Sequence, residues 1–505
     1  MSTPEHTRYP HFINGIKSEP TNGAYLDVVD PSTGQVHCKT ADGCEADVQN
    51  AVSAANLAFS NPAWREMSKA HRSQVLYQLG NIVLANGAEL AELESRSSGG
   101  TITRVSGLDI IAVADLFFVL AEAIKDYSFS EFLPPRLIPE QVHTTVLREP
   151  LGVCAAITAW NFPILLLSWK IAPALAAGNT VVVKASELTP QTTFRLAELF
   201  SEILPPGVFN VVSGRGETVG EALVTHPNIA KVSFTGSTAT GKHIQRTAAD
   251  TLKRVTLELG GKGAAIVMPD ANLELAAHGA LFGIMMNSGQ ACEAASRLLV
   301  HEAVHDVLIE RMVDLAKKIT IGNPLDPDTA MGPLISKAQF DKVAAFIDSA
   351  KGAGASVAFG GKRQVVSGFE NGYFMQPTII TGSTNSMTHA CEEIFGPVVS
   401  VIRFGDDDDP VAIANDSRYG LSAGIFTENV VRAQGMARNL QAGSVWINDW
   451  HMMRTDAPFG GYKESGYGRE MGAHSIDSYT QIKSVSTGFE REPARKLPHH
   501  FIHKF

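Results

Sequence analysis

Between Gly152 and Leu257 short runs rich in β-branched residues alternate with helical ones: Val153 to Thr158, Thr180 to Lys184, Val208 to Val212, Lys231 to Phe234 and Arg254 to Leu257. Parallel strands need long crossover connections, and strands buried on both faces read as apolar runs rather than as alternation. The pattern therefore predicts an α/β fold with a parallel sheet covered on both faces. A second α/β segment runs from near Gly260 to about Asn448, with strands at Ala264 to Val267, Leu298 to Val300, Val398 to Phe404 and Gly424 to Phe426. At 505 residues the chain is too long for one core, so two or three domains are expected.

Before Gly152 the texture differs. The pair Asn14-Gly15, set between apolar residues, predicts a hairpin over 12–17, and Asp30 to Gly34 reads as a turn. Helical spacing recurs from Glu45 to Phe59, from Ala70 to Glu94 and from about Leu108 to Tyr127. Phe132-Leu133-Pro134-Pro135 and Thr144 to Leu147 suggest a strand or hairpin leaving the main body. The net charge of −10 argues against nucleic acid or an anionic membrane as partner. Five scattered cysteines without metal-ligand spacing fit a reducing cytoplasm and no metal site, and the start MSTPEHTRYPHF lacks a signal peptide's apolar core. Ile164 to Ala177, the most apolar stretch, is interrupted by Lys170 and Pro173 and is too short to span a bilayer. Asp406 to Asp409 before Pro410 reads as a charged loop capping a helix. The tail from Glu490, with its basic residues and histidines, reads as a solvated or subunit-covering extension.

The chemistry centres on Gly289-Gln290-Ala291-Cys292, at the end of an apolar helical run from Ala277 to Met286. A glycine turn there brings a thiol to a cleft mouth, where it is a candidate nucleophile, although most free cysteines are merely buried. Asn161, after the first strand, could aim an amide at an oxyanion or simply close a turn before Pro163. Lys184 and Glu187 suit the hydroxyls of a ribose, or a helix start. In Phe234-Thr235-Gly236-Ser237 a strand runs into a helix N-terminus that can meet a phosphate. Gly214 to Gly220 misses the dinucleotide fingerprint by one residue and reads as a turn and helix start. Glu258, followed by Leu259-Gly260-Gly261-Lys262, is a candidate general base or a surface carboxylate.

With Glu393-Ile394-Phe395-Gly396-Pro397 and Pro458-Phe459-Gly460-Gly461 added, the ordered series resembles the aldehyde dehydrogenase superfamily from Phe12 to about Val485. The resemblance implies a Rossmann-like NAD-binding domain (1–125 and 149–258), an α/β catalytic domain (259–448) and a small β oligomerisation element (126–148 with 480–495). A substrate loop and return to the NAD-binding domain (449–479) and a tail (496–505) complete it. It implies Cys292 as the nucleophile toward an aldehyde, with the oxyanion held by Asn161 and the Cys292 backbone N–H. Hydride then passes to nicotinamide, and Glu258 activates the water that hydrolyses the thioester. Lys184 and Glu187 would face the adenine ribose, Gly236 and Ser237 the pyrophosphate. Trp160, Leu259, Glu393 and Phe395 would serve the rest of the cofactor, and Lys170 and Glu470 either a proton path or a structural ion pair. Glu187 favours NAD over NADP, because a carboxylate repels a 2′-phosphate. A cytoplasmic homodimer or homotetramer is expected.

Three departures stand out. Gly263-Ala264 replaces the usual residues after Lys262, which would only loosen a turn. Glu293 stands beside the nucleophile where small or polar residues are usual; pointing inward it would oppose anionic aldehydes and raise the thiol's pKa, and pointing outward it is a surface charge. The loop Asp449 to Asp456 is this chain's own. With Phe162, Leu166, Trp169, Met453 and Phe459 it predicts an apolar, aromatic entrance for medium aliphatic or aromatic aldehydes, with Arg454 paired most simply to Asp456.

Overall fold

The computed structural model of the chain describes residues 6–137 and 141–504. Residues 1–5, 138–140 and 505 lie outside it, and with them parts of the expected nucleotide-binding segment, oligomerisation element and tail. Strand follows helix through the middle of the chain as the apolar runs require, and the result is a mixed α/β fold with two large, mainly parallel sheets.

In the eight-stranded sheet the order is Gly466–Tyr467, Arg254–Glu258, Ile229–Thr235, Val153–Ile157, Thr180–Lys184, Phe209–Val212, His11–Ile13 and Ile16–Ser18. Its five central strands are parallel and its flanking strands antiparallel. Every residue of Val153–Ile157 and Thr180–Lys184 is buried, which is why these runs lack polar alternation. From Val153–Ile157 the chain winds first toward 180–184 and 209–212, then returns to the other side through 229–235 and 254–258. That reversal opens a crevice at the carboxyl ends of the strands, where open α/β sheets bind their ligands. The seven-stranded sheet runs Ser356–Phe359, Thr378–Thr381, Val398–Phe404, Arg297–His301, Ala264–Val267, Ser422–Phe426 and Ser444–Ile447. Ala264–Val267 opens it as its own switch strand, between 297–301 and 422–426.

Local chemistry sets the element ends. The hairpin over 11–18 closes on Asn14 and Gly15, both at positive φ, as its Asn-Gly pair requires. The helical run expected from 70 to 94 is two helices, Lys69–Ala85 and Gly87–Ser98. The break falls at Asn86, whose side chain donates back to the Ile82 carbonyl at 2.8 Å and competes with helix continuation. Asp409 caps Pro410–Asn415 by accepting from the Val411 N–H. A separate three-stranded antiparallel sheet joins Thr480–Gly488, Val142–Pro150 and Ser130–Phe132, and leaves Phe132 and Ile482 exposed. Among the described residues no helix is long and apolar enough to cross a membrane.

Candidate active site

Cys292 is reached through a turn that few sequences could make. Asn287, Ser288 and Gly289 all lie at positive φ, and a Cβ on Gly289 would sit 2.1 Å from the Gly396 carbonyl oxygen. The turn is held by the Gln290 side chain, which donates to the Asn287 carbonyl at 3.2 Å and accepts from the Ile335 N–H at 2.9 Å. Ser288 Oγ donates to the Gly332 carbonyl at 2.7 Å. Backbone strain of this order persists only where surrounding contacts enforce it. Its product is a cysteine that lines two cavities at once.

The first cavity lies at the switch point of the eight-stranded sheet, about 220 Å³ in volume. Its wall brings together Trp160, Asn161, Gly236, Ser237, Leu259, Cys292, Glu393 and Phe395 from segments far apart in the chain. Trp160 and Phe395 meet edge to face at 5.2 Å, and Glu393 accepts from the Gly261 N–H at 2.9 Å. Ser237 caps Thr238–Ala249 by accepting from the Thr240 N–H, so that helix's N-terminal amides face this end of the sheet. Lys184 and Glu187 are outside this wall, paired with each other at 3.1 Å one strand away, where Lys184 lies in register with Ile157. Gln339 and Lys342, which no local sequence motif marked, complete the wall. Thr235 Oγ1 is buried there without a hydrogen-bond partner among the described residues, a polar group that a polar ligand would satisfy. The residues present thus fit a dinucleotide.

Asn161 donates from Nδ2 to the Gln290 carbonyl at 3.0 Å, which brings its amide to the turn before the cysteine. Asn287 steadies the pair by donating to the Asn161 carbonyl at 2.8 Å. Glu258 ends the strand Arg254–Glu258, and both of its carboxyl oxygens are buried without a hydrogen-bond partner among the described residues. Burial, then the charge of Glu470, pushes its pKa well above the usual carboxylate range, while Lys170 and Arg469 oppose the rise. Lys170 Nζ donates to Glu470 at 2.7 Å, and Ser233 Oγ donates to the same oxygen at 2.9 Å.

The second cavity is larger, about 520 Å³, and mostly apolar. Phe162, Leu165, Leu166 and Trp169 project from one face of Pro163–Ala176 and its N-cap, at the i, i+3, i+4, i+7 spacing of a helix. Leu108, Ile111, Ala112, Asp115 and Val119 form the facing wall at the same kind of spacing, on and just before Ile110–Asp126. That wall was readable as an apolar stripe, but nothing local separates a cavity stripe from a core stripe. Met453 lines the cavity, whereas Phe459 does not: it is buried behind Trp169, ring centroids 5.1 Å apart, and supports the wall from outside. Arg454 is held by Asp456 in a two-pronged pair at 2.9 and 2.7 Å. Glu293 points inward: its carboxylate accepts from Cys292 Sγ at 3.2 Å and lies 3.0 Å from His451 Nδ1.

Comparison with known proteins closes the question of kinship. The sequence model of the aldehyde dehydrogenase family matches residues 18–485. This chain belongs to the aldehyde dehydrogenase family. It is 42% identical to a betaine aldehyde dehydrogenase of Mesorhizobium japonicum over 94% of this chain and 96% of that one. Among solved structures, an aldehyde dehydrogenase of Bacillus cereus in complex with NAD+ superposes with a TM-score of 0.92 at 40% identity, covering 96% of this chain and 97% of the other. A Staphylococcus aureus betaine aldehyde dehydrogenase in complex with NAD+ gives 0.92 at 38%, covering 95% of each chain.

Within this aldehyde dehydrogenase the Lys170–Glu470 pair is a test of energetics, since both side chains are 2% exposed or less. Removing one partner of such a pair strands a buried charge, at about 3–5 kcal/mol, whereas replacing both by apolar groups is often close to neutral. Lys170→Met is expected to lower unfolding stability by about that amount, and the double change Lys170→Met with Glu470→Met to recover most of it. Denaturant unfolding of the three proteins measures both.

Proposed function

We propose that this chain oxidises a medium aliphatic or aromatic aldehyde to the free carboxylic acid with NAD. The observation that carries the reading is the shared wall: Cys292 faces an aromatic substrate-sized cavity on one side and the switch-point cavity on the other. Sulfur attacks the carbonyl carbon, and the resulting oxyanion is held by Asn161 Nδ2 and the Cys292 N–H, donors placed before charge develops. Gly236, Ser237, Trp160, Leu259, Glu393 and Phe395, with Lys184 and Glu187 at the ribose, would hold NAD, which would supply the acceptor for the hydride. Glu258 takes a proton from water as that water attacks the Cys292 thioester, and the acid leaves. Enzymes that pass such a thioester to coenzyme A have no need of this carboxylate, so Glu258 supports hydrolysis. Lys170 and Glu470 would conduct the proton away from Glu258.

A panel of aliphatic, aromatic, semialdehyde and trimethylammonium aldehydes, followed by NADH absorbance, tests the reading. Betaine aldehyde belongs in it because relatives are named for it and because Glu293 places a carboxylate in the cavity wall. Turnover is expected with neutral aldehydes and none with Cys292→Ala; undiminished turnover in that variant would sink the reading. Cofactor preference rests on Glu187, whose carboxylate opposes a 2′-phosphate. Glu187→Gln is expected to raise the NADP-to-NAD ratio of kcat/KM by at least about tenfold, ~1.4 kcal/mol. The exposed three-stranded sheet, with Phe132 and Ile482 uncovered, supports a homodimer or homotetramer, which light scattering would reveal. Five free cysteines fit a reducing cytoplasm.

A further inference from the structure

Glu293 is fixed from its backbone outward. Its carbonyl accepts from Ser422 Oγ at 2.8 Å and from Trp450 Nε1 at 3.0 Å, which fixes the backbone from which the carboxylate projects. Oε2 accepts from Cys292 Sγ at 3.2 Å; Oε1 lies 3.0 Å from His451 Nδ1, close but not in line. His451 itself is held at a φ of 60°, a conformation costly for a non-glycine residue, and its Nε2 is 3.1 Å from the Gly283 carbonyl oxygen. A carbonyl only accepts, so Nε2 carries a hydrogen. Nδ1 then faces a carboxylate in a buried site, where a bare lone pair would be repelled, so Glu293 and His451 hold one further proton between them.

We propose that Glu293, positioned by His451, is a catalytic residue that accepts the Cys292 thiol proton as sulfur attacks the aldehyde. This rests on the function proposed above. The S–H bond breaks and its proton passes to Glu293 Oε2. The sulfur electron pair forms the C–S bond, and the carbonyl π pair becomes the oxyanion. When the thioester is hydrolysed, the departing sulfur takes the same proton back, so the acid's proton balance falls on Glu258 alone. Charge is conserved: one negative charge sits on the carboxylate before transfer, beside a neutral thiol and aldehyde, and on the oxyanion of the adduct after it, beside a neutral carboxylic acid. The surroundings favour this route over a free thiolate. Burial first, then Glu293, and beyond it Glu258 and Glu393, push the thiol well above its ordinary range, so sulfur must lose its proton to an adjacent acceptor as it reacts. Burial also pushes the Glu293 carboxyl up, but the contacts from His451 and Cys292 outweigh it and hold the group below its ordinary value, ready to accept.

The test uses the full-length protein and iodoacetamide, with alkylation of Cys292 itself followed by peptide mass spectrometry because Cys44 and Cys391 are also free and partly exposed; neither cofactor nor aldehyde is needed. In the wild type the alkylation rate is expected to be level from mildly acidic to mildly alkaline pH, with a normal solvent deuterium isotope effect, because a proton is in flight. Glu293→Gln is expected to lose the isotope effect and to climb about tenfold per pH unit, as a reaction of free thiolate does. Glu293→Asp should restore part of the level region. His451→Phe should keep it but move its acid edge to higher pH, since the cation that favours ionised Glu293 is gone. The pre-steady-state burst of NADH should follow the same profiles. A level profile in Glu293→Gln, or a wild type that itself climbs with pH, overturns the proposal. If instead no aldehyde yields NADH with the wild type, it is the underlying function that fails.

Discussion

Glu258→Gln is expected to release about one NADH per active site in a burst at the wild-type rate and then to turn over about 10²–10⁴ times more slowly. The glutamine keeps the shape of the strand end but cannot take a proton from water, so on the proposed mechanism the acyl-enzyme should accumulate. The carboxyl is well suited to the task and costly to keep. Both oxygens are buried without a partner, and burial together with the Glu470 charge raises the pKa well above the carboxylate range, against the pull of Lys170 and Arg469. Glu258 acts as a base only after losing its proton. Steady-state turnover in the wild type should therefore rise with pH through a midpoint on the alkaline side of an ordinary glutamate, and that limb should disappear in Glu258→Gln. Stopped-flow NADH absorbance across pH reads the burst and the steady state separately. Loss of the burst in Glu258→Gln would mean that the carboxylate acts before hydride transfer, on the thiol, and would remove the need for Glu293.

The residues legible in the sequence are those whose position follows from a few neighbours. Glu258 ends a strand of the eight-stranded sheet, Asn161 and Ser237 lie in the short connections that follow two others, and buried parallel strands announce themselves as apolar runs ending in glycine, proline or a helix cap. The turn before Cys292 is marked locally by Gly289, although the contacts that enforce it, with Gly396, Gly332 and Ile335, come from far along the chain. What stayed illegible depends on contacts across long stretches of chain. Glu293 could be classed as inward or outward only by knowing that Trp450 and Ser422 clamp its carbonyl and that His451 meets its carboxylate. Phe459 is aromatic and belongs to a glycine-rich motif, which suggests cavity lining; its burial behind Trp169 depends on how two segments pack. The break at Asn86 leaves no mark in the apolar spacing, which runs on across it, while a side-chain hydrogen bond from Asn86 competes with the helix.

Asn161→Ala should fail at the opposite stage from Glu258→Gln. The burst itself is expected to slow by about 10²–10³, ~2.7–4 kcal/mol, the usual effect of deleting one preorganised oxyanion donor. Aldehyde binding should change little, because the amide is complementary to the negative oxygen of the adduct rather than to the carbonyl of the free aldehyde. The resting contact from Nδ2 to the Gln290 carbonyl at 3.0 Å is not a competing explanation for such a loss. Asn287 Nδ2 also donates to that carbonyl, at 3.2 Å, so the turn retains a donor when Asn161 is truncated. The structural cost of losing one neutral hydrogen bond is then only about 0.5–1.5 kcal/mol of stability. Slow acylation with near-normal stability is thus the signature of an oxyanion donor, and equal losses of stability and rate would be that of a turn-closing residue. A burst at the wild-type rate in Asn161→Ala would show that the Cys292 N–H carries the oxyanion without it.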